Sequence, residues 1–192
     1  MLLSPNTSGL LDSELADKAR LLKSSPLFGP LRGNSTPLEE KQILFLAVAG
    51  AKPVSAPRSC HWVRTEHGGH SAPDDQVKVA GLLEQLGLSY IIELKKTLTM
   101  AYVSLQRTSL DHFLADRGND RETGRWFGYP MTAVEAFVAG DSMAIEEQQA
   151  AEQALGVPVF STFRLSRTNA AVELELMRQW WLILERYGLI EA

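Results

Sequence analysis

The last long segment of the chain carries its strongest periodic pattern. In NAAVELELMRQWWLILERYG, from Asn169 to Gly188, the side chains of Leu174, Leu176, Met177, Trp180, Trp181, Ile183, Leu184 and Tyr187 spread over an arc of about 180° at 100° per residue. An arc that wide predicts a helix set deep in the core or also used at a subunit contact. A second helix is expected over ILFLAVA, whose apolar residues leave little polar face and which therefore takes a central place. Its start is marked by TPLE, where Thr36 caps, Pro37 takes the first helical position and Glu39 completes a capping box. It is expected to end near Gly50.

Between these two, DQVKVAGLLEQLG predicts a helix capped by Asp74 or Asp75, lined on one side by Val77, Ala80, Leu83 and either Leu86 or Leu82, and ended by Gly87. The β-rich runs SYIIEL and TLTMAYVSL, separated by Lys95 and Lys96, predict an antiparallel hairpin. Thr108 or Ser109 is expected to cap a short helix over LDHFLAD, and Asn119 another. TAVE, with Thr132 and Glu135, reads as a second capping box. Gly140 and Asp141 break that helix, Asp141 or Ser142 restarts it through Leu155, and VPVFSTFRLS predicts a third strand.

Helices dominate and strands do not alternate regularly with them, so the expected class is α+β, a helix-rich single domain with a small, mostly antiparallel sheet. Residues 1–35 read as an N-terminal arm: a short helix over Leu10 to Leu22, then the Pro/Gly/Ser-rich linker SSPLFGPLRGNSTP. Residues 36–192 form the compact domain.

Bulk properties narrow the function classes. The chain has 192 residues and a net charge of −4, which argues against bulk nucleic-acid binding, since that needs basic surface to neutralise phosphates. A lone cysteine, Cys60, forms no intrachain disulfide and points to a reducing compartment, most simply a prokaryotic cytoplasm. The opening MLLSPNTSGLL lacks the basic region of a signal peptide, and the longest apolar run, residues 43–51, is too short to span a bilayer. The expectation is a protein without membrane insertion.

Three clusters carry candidate chemistry. Arg117, Arg121 and Arg125 are spaced by four, so on one continuous helix they would share a face. Guanidinium groups suit bidentate recognition of carboxylate or phosphate, Trp126, Phe127 and Tyr129 offer rings to stack, and Gly128-Tyr129-Pro130 leads into a helix N-terminus. Together these predict binding, with or without turnover, of an anionic small molecule. Against that, Gly118 and Gly124 weaken such a helix, and Asp116, Asp120 and Glu122 are at hand to pair with the arginines.

Arg164 and Arg167, just before the last helix, offer a second half of an anion site or simple surface charge. Cys60, His61, His67 and His70 fall within CHWVRTEHGGH. These residue types are zinc ligands, although the spacing matches no common zinc pattern. A metal-dependent hydrolase built on His61, His67 and His70, with zinc as the possible metal, is one alternative reading. The other is a non-catalytic assembly protein, a homo-oligomer that uses the arm and the last helix, with Trp180 and Trp181 as anchors. Ser109, Asp111 and His112 lie too close on one short helix to form a nucleophilic triad, and Glu135 is better explained by capping than as a general acid.

The run R-E-x-G-R-x-x-G-Y-P-x-T-A-V-E-A-F, Arg121 to Phe137, resembles a GRxxGYPxTAVEAF-like motif of a family of small prokaryotic proteins, with a looser likeness in AGAKPV at residues 49–54. The resemblance implies a shared fold element and no activity.

Overall fold

A computed structural model of the protein describes residues 9–28, 40–57, 73–95, 98–154, 156 and 163–190. Within them the chain order is α1 (Asp12–Ser24), α2 (Glu40–Val48), α3 (Pro73–Gln85), β1 (Ser89–Lys95), β2 (Leu98–Ser104), α4 (Arg107–Asp116), α5 (Asp120–Trp126), α6 (Met131–Ala139), α7 (Ile145–Ala154) and α8 (Ala170–Arg186). This is a helix-rich α+β domain whose sheet is one antiparallel hairpin, in register from Ser89 opposite Ser104 to Lys95 opposite Leu98. Among the described residues no helix is long and apolar enough to cross a membrane.

Helix α2 runs through the middle, as its lack of a polar face predicts, with Leu44 to Val48 wholly buried. Even its polar first turn is buried. Lys41 Nζ donates to the carbonyls of Lys23 and Ser25 at the end of α1, and burial lowers its pKa. Gln42 Nε2 donates to Leu189 O, 2.8 Å away beyond α8. Lys41 and Gln42 each satisfy a main-chain carbonyl near a helix end, which offsets part of the cost of burying them. Helix α8 supplies Leu174, Met177, Trp180 and Leu184 to the same core, while Trp181, Leu176 and Tyr187 stay only partly buried.

The helix expected in a separate arm sits in that core as well. Leu15, Ala19 and Leu22 of α1 and the following Phe28 are buried among α2 and α8 residues. Lys18 Nζ donates to Leu86 O at 2.7 Å, just past the end of α3, and Asp12 holds both Arg186 and the Tyr187 hydroxyl. A periodic apolar face on α1 is enough to draw it in. The TPLE start at Thr36 lies outside the described residues.

Alternation along β2 serves two cores. Ala101 and Val103 face the main one, and Tyr102 joins Val54, Leu110 and Phe113 in a smaller one on the other side. The far edge of β2 is taken by a short segment after α2. Ser55 and Val103 exchange backbone bonds of 2.9 and 2.8 Å, and Ser104 Oγ donates to Pro53 O at 2.6 Å.

Several local expectations give way to tertiary partners. Helix α4 begins at Arg107 with Gln106 in the N-cap position, so Thr108 and Ser109 lie inside the helix instead of capping it. On α3, Val77 is 71% exposed, and Val79 takes the buried place assigned to it. TAVE is no capping box: α6 starts at Met131 after Pro130, placing Thr132 within the first turn. Thr132 Oγ1 instead donates at 2.6 Å to Glu173, a buried carboxylate that also accepts from Ser166 Oγ and Ser166 N. Helix α7 starts at Ile145, later than Asp141 or Ser142, because Ser142 forms a single antiparallel bridge with Ser166. That bridge is the described part of the expected third strand; residues 157–162 lie outside the described region.

Asn119 caps α5 as expected, accepting from the amides of Arg121 and Glu122. Packing of α5 on α6 depends on Gly124, where an added Cβ would lie 2.6 Å from Val134 Cγ2. Val134 is itself buried, so the clash has little room to relax. Gly124→Ala is therefore expected to lower stability by roughly 1–3 kcal/mol, read as a shift of the urea midpoint. Gly118→Ala, where nothing lies within 4 Å of the added carbon, is expected to stay within about 0.5 kcal/mol of wild type. Equal effects of the two would refute the packing argument.

Candidate functional site

Residues 124–130 turn a corner on top of residues 51–54. Helix α5 ends at Trp126, and Gly128 then takes φ +72°, with Pro53 Cδ 3.0 Å from where a Cβ would stand. Positive φ and close approach both demand glycine there. Val54 N donates to Trp126 O and Tyr129 N to Gly124 O, each at 3.0 Å. Residues 51–54 and 124–129 thus meet in space.

Lys52 fills the angle between them. Its Nζ lies 4.6 Å from the ring centre of Tyr129 and 4.3 Å from that of Trp180, and the residue is buried. Loss of water pushes its pKa down from the ordinary lysine value of 10.5 to about 7. The two ring faces attract the ammonium and oppose that shift in part, but desolvation is the larger effect.

The front of Tyr129 faces a cavity of about 540 Å³, within the size range of small-molecule sites. Its apolar walls are Phe127, Tyr129, Val134, Phe137 and Phe163, with Ile145 at the side. The rings of Tyr129 and Phe163 lie 5.1 Å apart and those of Phe127 and Tyr129 5.7 Å, forming a continuous aromatic surface. Polar lining comes from Asp120, Thr123, Gln148, Gln149 and Arg164. The amide of Gln148 is already committed: Nε2 donates to Glu152 and to Phe163 O, and Oε1 accepts from Leu165 N. Arg164 is different. Its Nη2 donates to Met143 O at 2.6 Å, while its Nε is buried and has no acceptor among the described residues. A buried guanidinium N–H without a partner is costly and calls for an oxygen to accept from it.

Of the arginines and rings expected around an anion, Phe127 and Tyr129 line this cavity, whereas Arg117, Arg121, Arg125 and Trp126 do not. The arginines share no helix face, because the chain leaves α4 at Arg117 and re-enters a helix at Asp120. Arg117 pairs with Glu93 of β1, a bond that raises its pKa. Arg121 forms a two-pronged pair with Glu135 of α6, both bonds 2.6 Å, which raises its own pKa and lowers that of Glu135. Arg125 reaches Glu122 at 2.7 Å and Asp116 at 3.9 Å. Trp126 Nε1 donates to Asp116 at 2.9 Å, and its ring lies against His112. These pairs are exposed and add little stability. Arg167 is likewise a surface charge, 3.0 Å from Glu147.

Cys60, His61, His67 and His70 lie outside the described residues; within these, no cluster of three or more His, Cys, Asp or Glu is placed to hold a metal ion. Phe137, Phe163, Asp120 and Thr123 escaped sequence reasoning because a cavity assembled from four segments has no spacing to read. Comparisons of the chain with protein-family models, curated proteins and solved structures gave no match in any of the three.

Lys52 makes stability depend on pH. With a folded pKa near 7 against 10.5, the unfolded chain holds more protons between these values, so stability rises with pH across that window and the contribution is flat below 7. Tyr90 and Tyr187, whose pKa values are raised by a bond to Glu84 and by burial respectively, work in the opposite sense above pH 10. Lys52→Met is expected to be more stable than wild type at pH 7, by an amount on the order of a few kcal/mol, and to lose most of the rise between pH 7 and 9.5. Urea unfolding at several pH values measures both. An unchanged slope in the variant would show that Lys52 does not titrate there.

Proposed function

We propose that this protein binds an anionic small molecule with an apolar body in the cavity framed by α5, α6 and α7, and that Arg164 holds the charge. One observation carries the reading: Arg164, which among the described residues makes one hydrogen bond, from Nη2, and pairs with no acid, lines a cavity walled by aromatic rings. A carboxylate oxygen accepting from this guanidinium would form a charge-assisted bond, stronger than a bond to water. Arg121 and Arg125 are the weaker candidates. Their acidic partners would have to be displaced, and neither lines the cavity. Tyr129 keeps the role of a ring against which the ligand body packs.

A thermal-shift titration tests the reading with 3-phenylpropanoate and its neutral relative 3-phenylpropanamide. The acid is expected to raise the melting temperature, with stabilisation of about 2.7 kcal/mol at 100 times its Kd, and the amide to do so far less. Arg164→Gln is expected to abolish the difference between acid and amide, and Arg125→Ala to leave it intact. Equal shifts from acid and amide, or loss of the effect in Arg125→Ala alone, would overturn the assignment.

A further inference from the structure

The acids around this corner are almost all taken. Arg117 engages Glu93, Arg121 engages Glu135, Arg125 engages Glu122, and Asp116 accepts from Trp126. Asp120 is the exception: it lines the cavity, and among the described residues no cation pairs with it. The cavity therefore carries one carboxylate and one guanidinium, both with capacity to spare.

Exposure orders the two groups. Asp120 is exposed at the start of α5, whereas Arg164 is half-buried with its Nε fully covered. The same cavity is lined by the rings of Phe127, Tyr129, Phe137 and Phe163, surfaces that favour a planar aromatic body through offset and edge contacts.

From this arrangement we infer that the preferred ligand is a dipolar aromatic molecule, with a carboxylate held by Arg164 and an ammonium held by Asp120. The inference rests on the reading of the cavity as an anion site and narrows it. A second negative charge on the ligand is repelled by Asp120 inside a space with low-dielectric walls, while a positive one is attracted. The site thereby discriminates against aromatic dicarboxylates, which a lone arginine would accept.

Calorimetric titration of the full chain with three ligands of one shape tests this: 4-(aminomethyl)benzoate, 4-ethylbenzoate and 4-(carboxymethyl)benzoate. The dipolar compound is expected to bind about fivefold tighter than 4-ethylbenzoate, the scale of one partly exposed charge pair, and the dianion is expected to bind weakest. Asp120→Asn is expected to erase the first difference without weakening 4-ethylbenzoate. If 4-ethylbenzoate binds as tightly as the dipolar compound to wild type, or if Asp120→Asn leaves the ranking unchanged, the inference fails while the anion site stands. If none of the three binds, or Arg164→Gln binds 4-ethylbenzoate as wild type does, the anion site itself fails.

Discussion

Placing a lysine amine between two aromatic rings, out of reach of water, is the constraint around which this corner of the protein is arranged. The backbone beside Lys52 is held from three directions. Ser55 is bridged to β2, Val54 is bonded to the end of α5, and Pro53 lies under the Gly128 turn. Trp180 of α8 closes the fourth side. Hydrophobic contact among these rings supplies the favourable energy, and the buried nitrogen lowers it. Because the amine occupies one face of Tyr129, the ring presents its other surroundings to the cavity. Aromatic neighbours on both sides, Phe127 and Phe163, then leave it little freedom to turn.

The arginines of this region divide by what their surroundings leave undone. On the surface, each guanidinium between Arg117 and Arg125 finds a carboxylate, and the sum is a well-neutralised exterior with no demand for a ligand. Arg164 lies in the segment that pairs with Met143, and its one hydrogen-bond partner among the described residues uses a single nitrogen. The same accounting singles out Asp120 among the acids. Both groups that remain available face one cavity, and this coincidence, more than any single residue, gives the site its chemical character.

Much of the architecture could be read from local pattern. The wide apolar arc of α8, the polar-poor α2, the β-rich runs of the hairpin, and the breaks at Gly87 and Gly140, both at positive φ, all follow from forces acting within a few residues. Where the reading failed, a distant partner had overruled a local one. Thr132 looks like a cap by its neighbours, yet Glu173, 41 residues away, offers a charged acceptor that the helix start does not. The four-residue spacing of the arginines promised a shared face only if the helix continued, and the break between Arg117 and Asp120 removed that condition. The cavity was legible only in part. Tyr129 was visible from its turn and Arg164 from its place before α8, but nothing local joins Asp120 to Phe163.

The most direct measurement is a crystal structure of the protein with 4-bromobenzoate, located by the anomalous signal of bromine. The account predicts the ring between Tyr129 and Phe137, with a carboxylate oxygen within hydrogen-bond distance of the Arg164 guanidinium. A ligand found instead on Arg121 or Arg125, with the cavity holding only water, would contradict it.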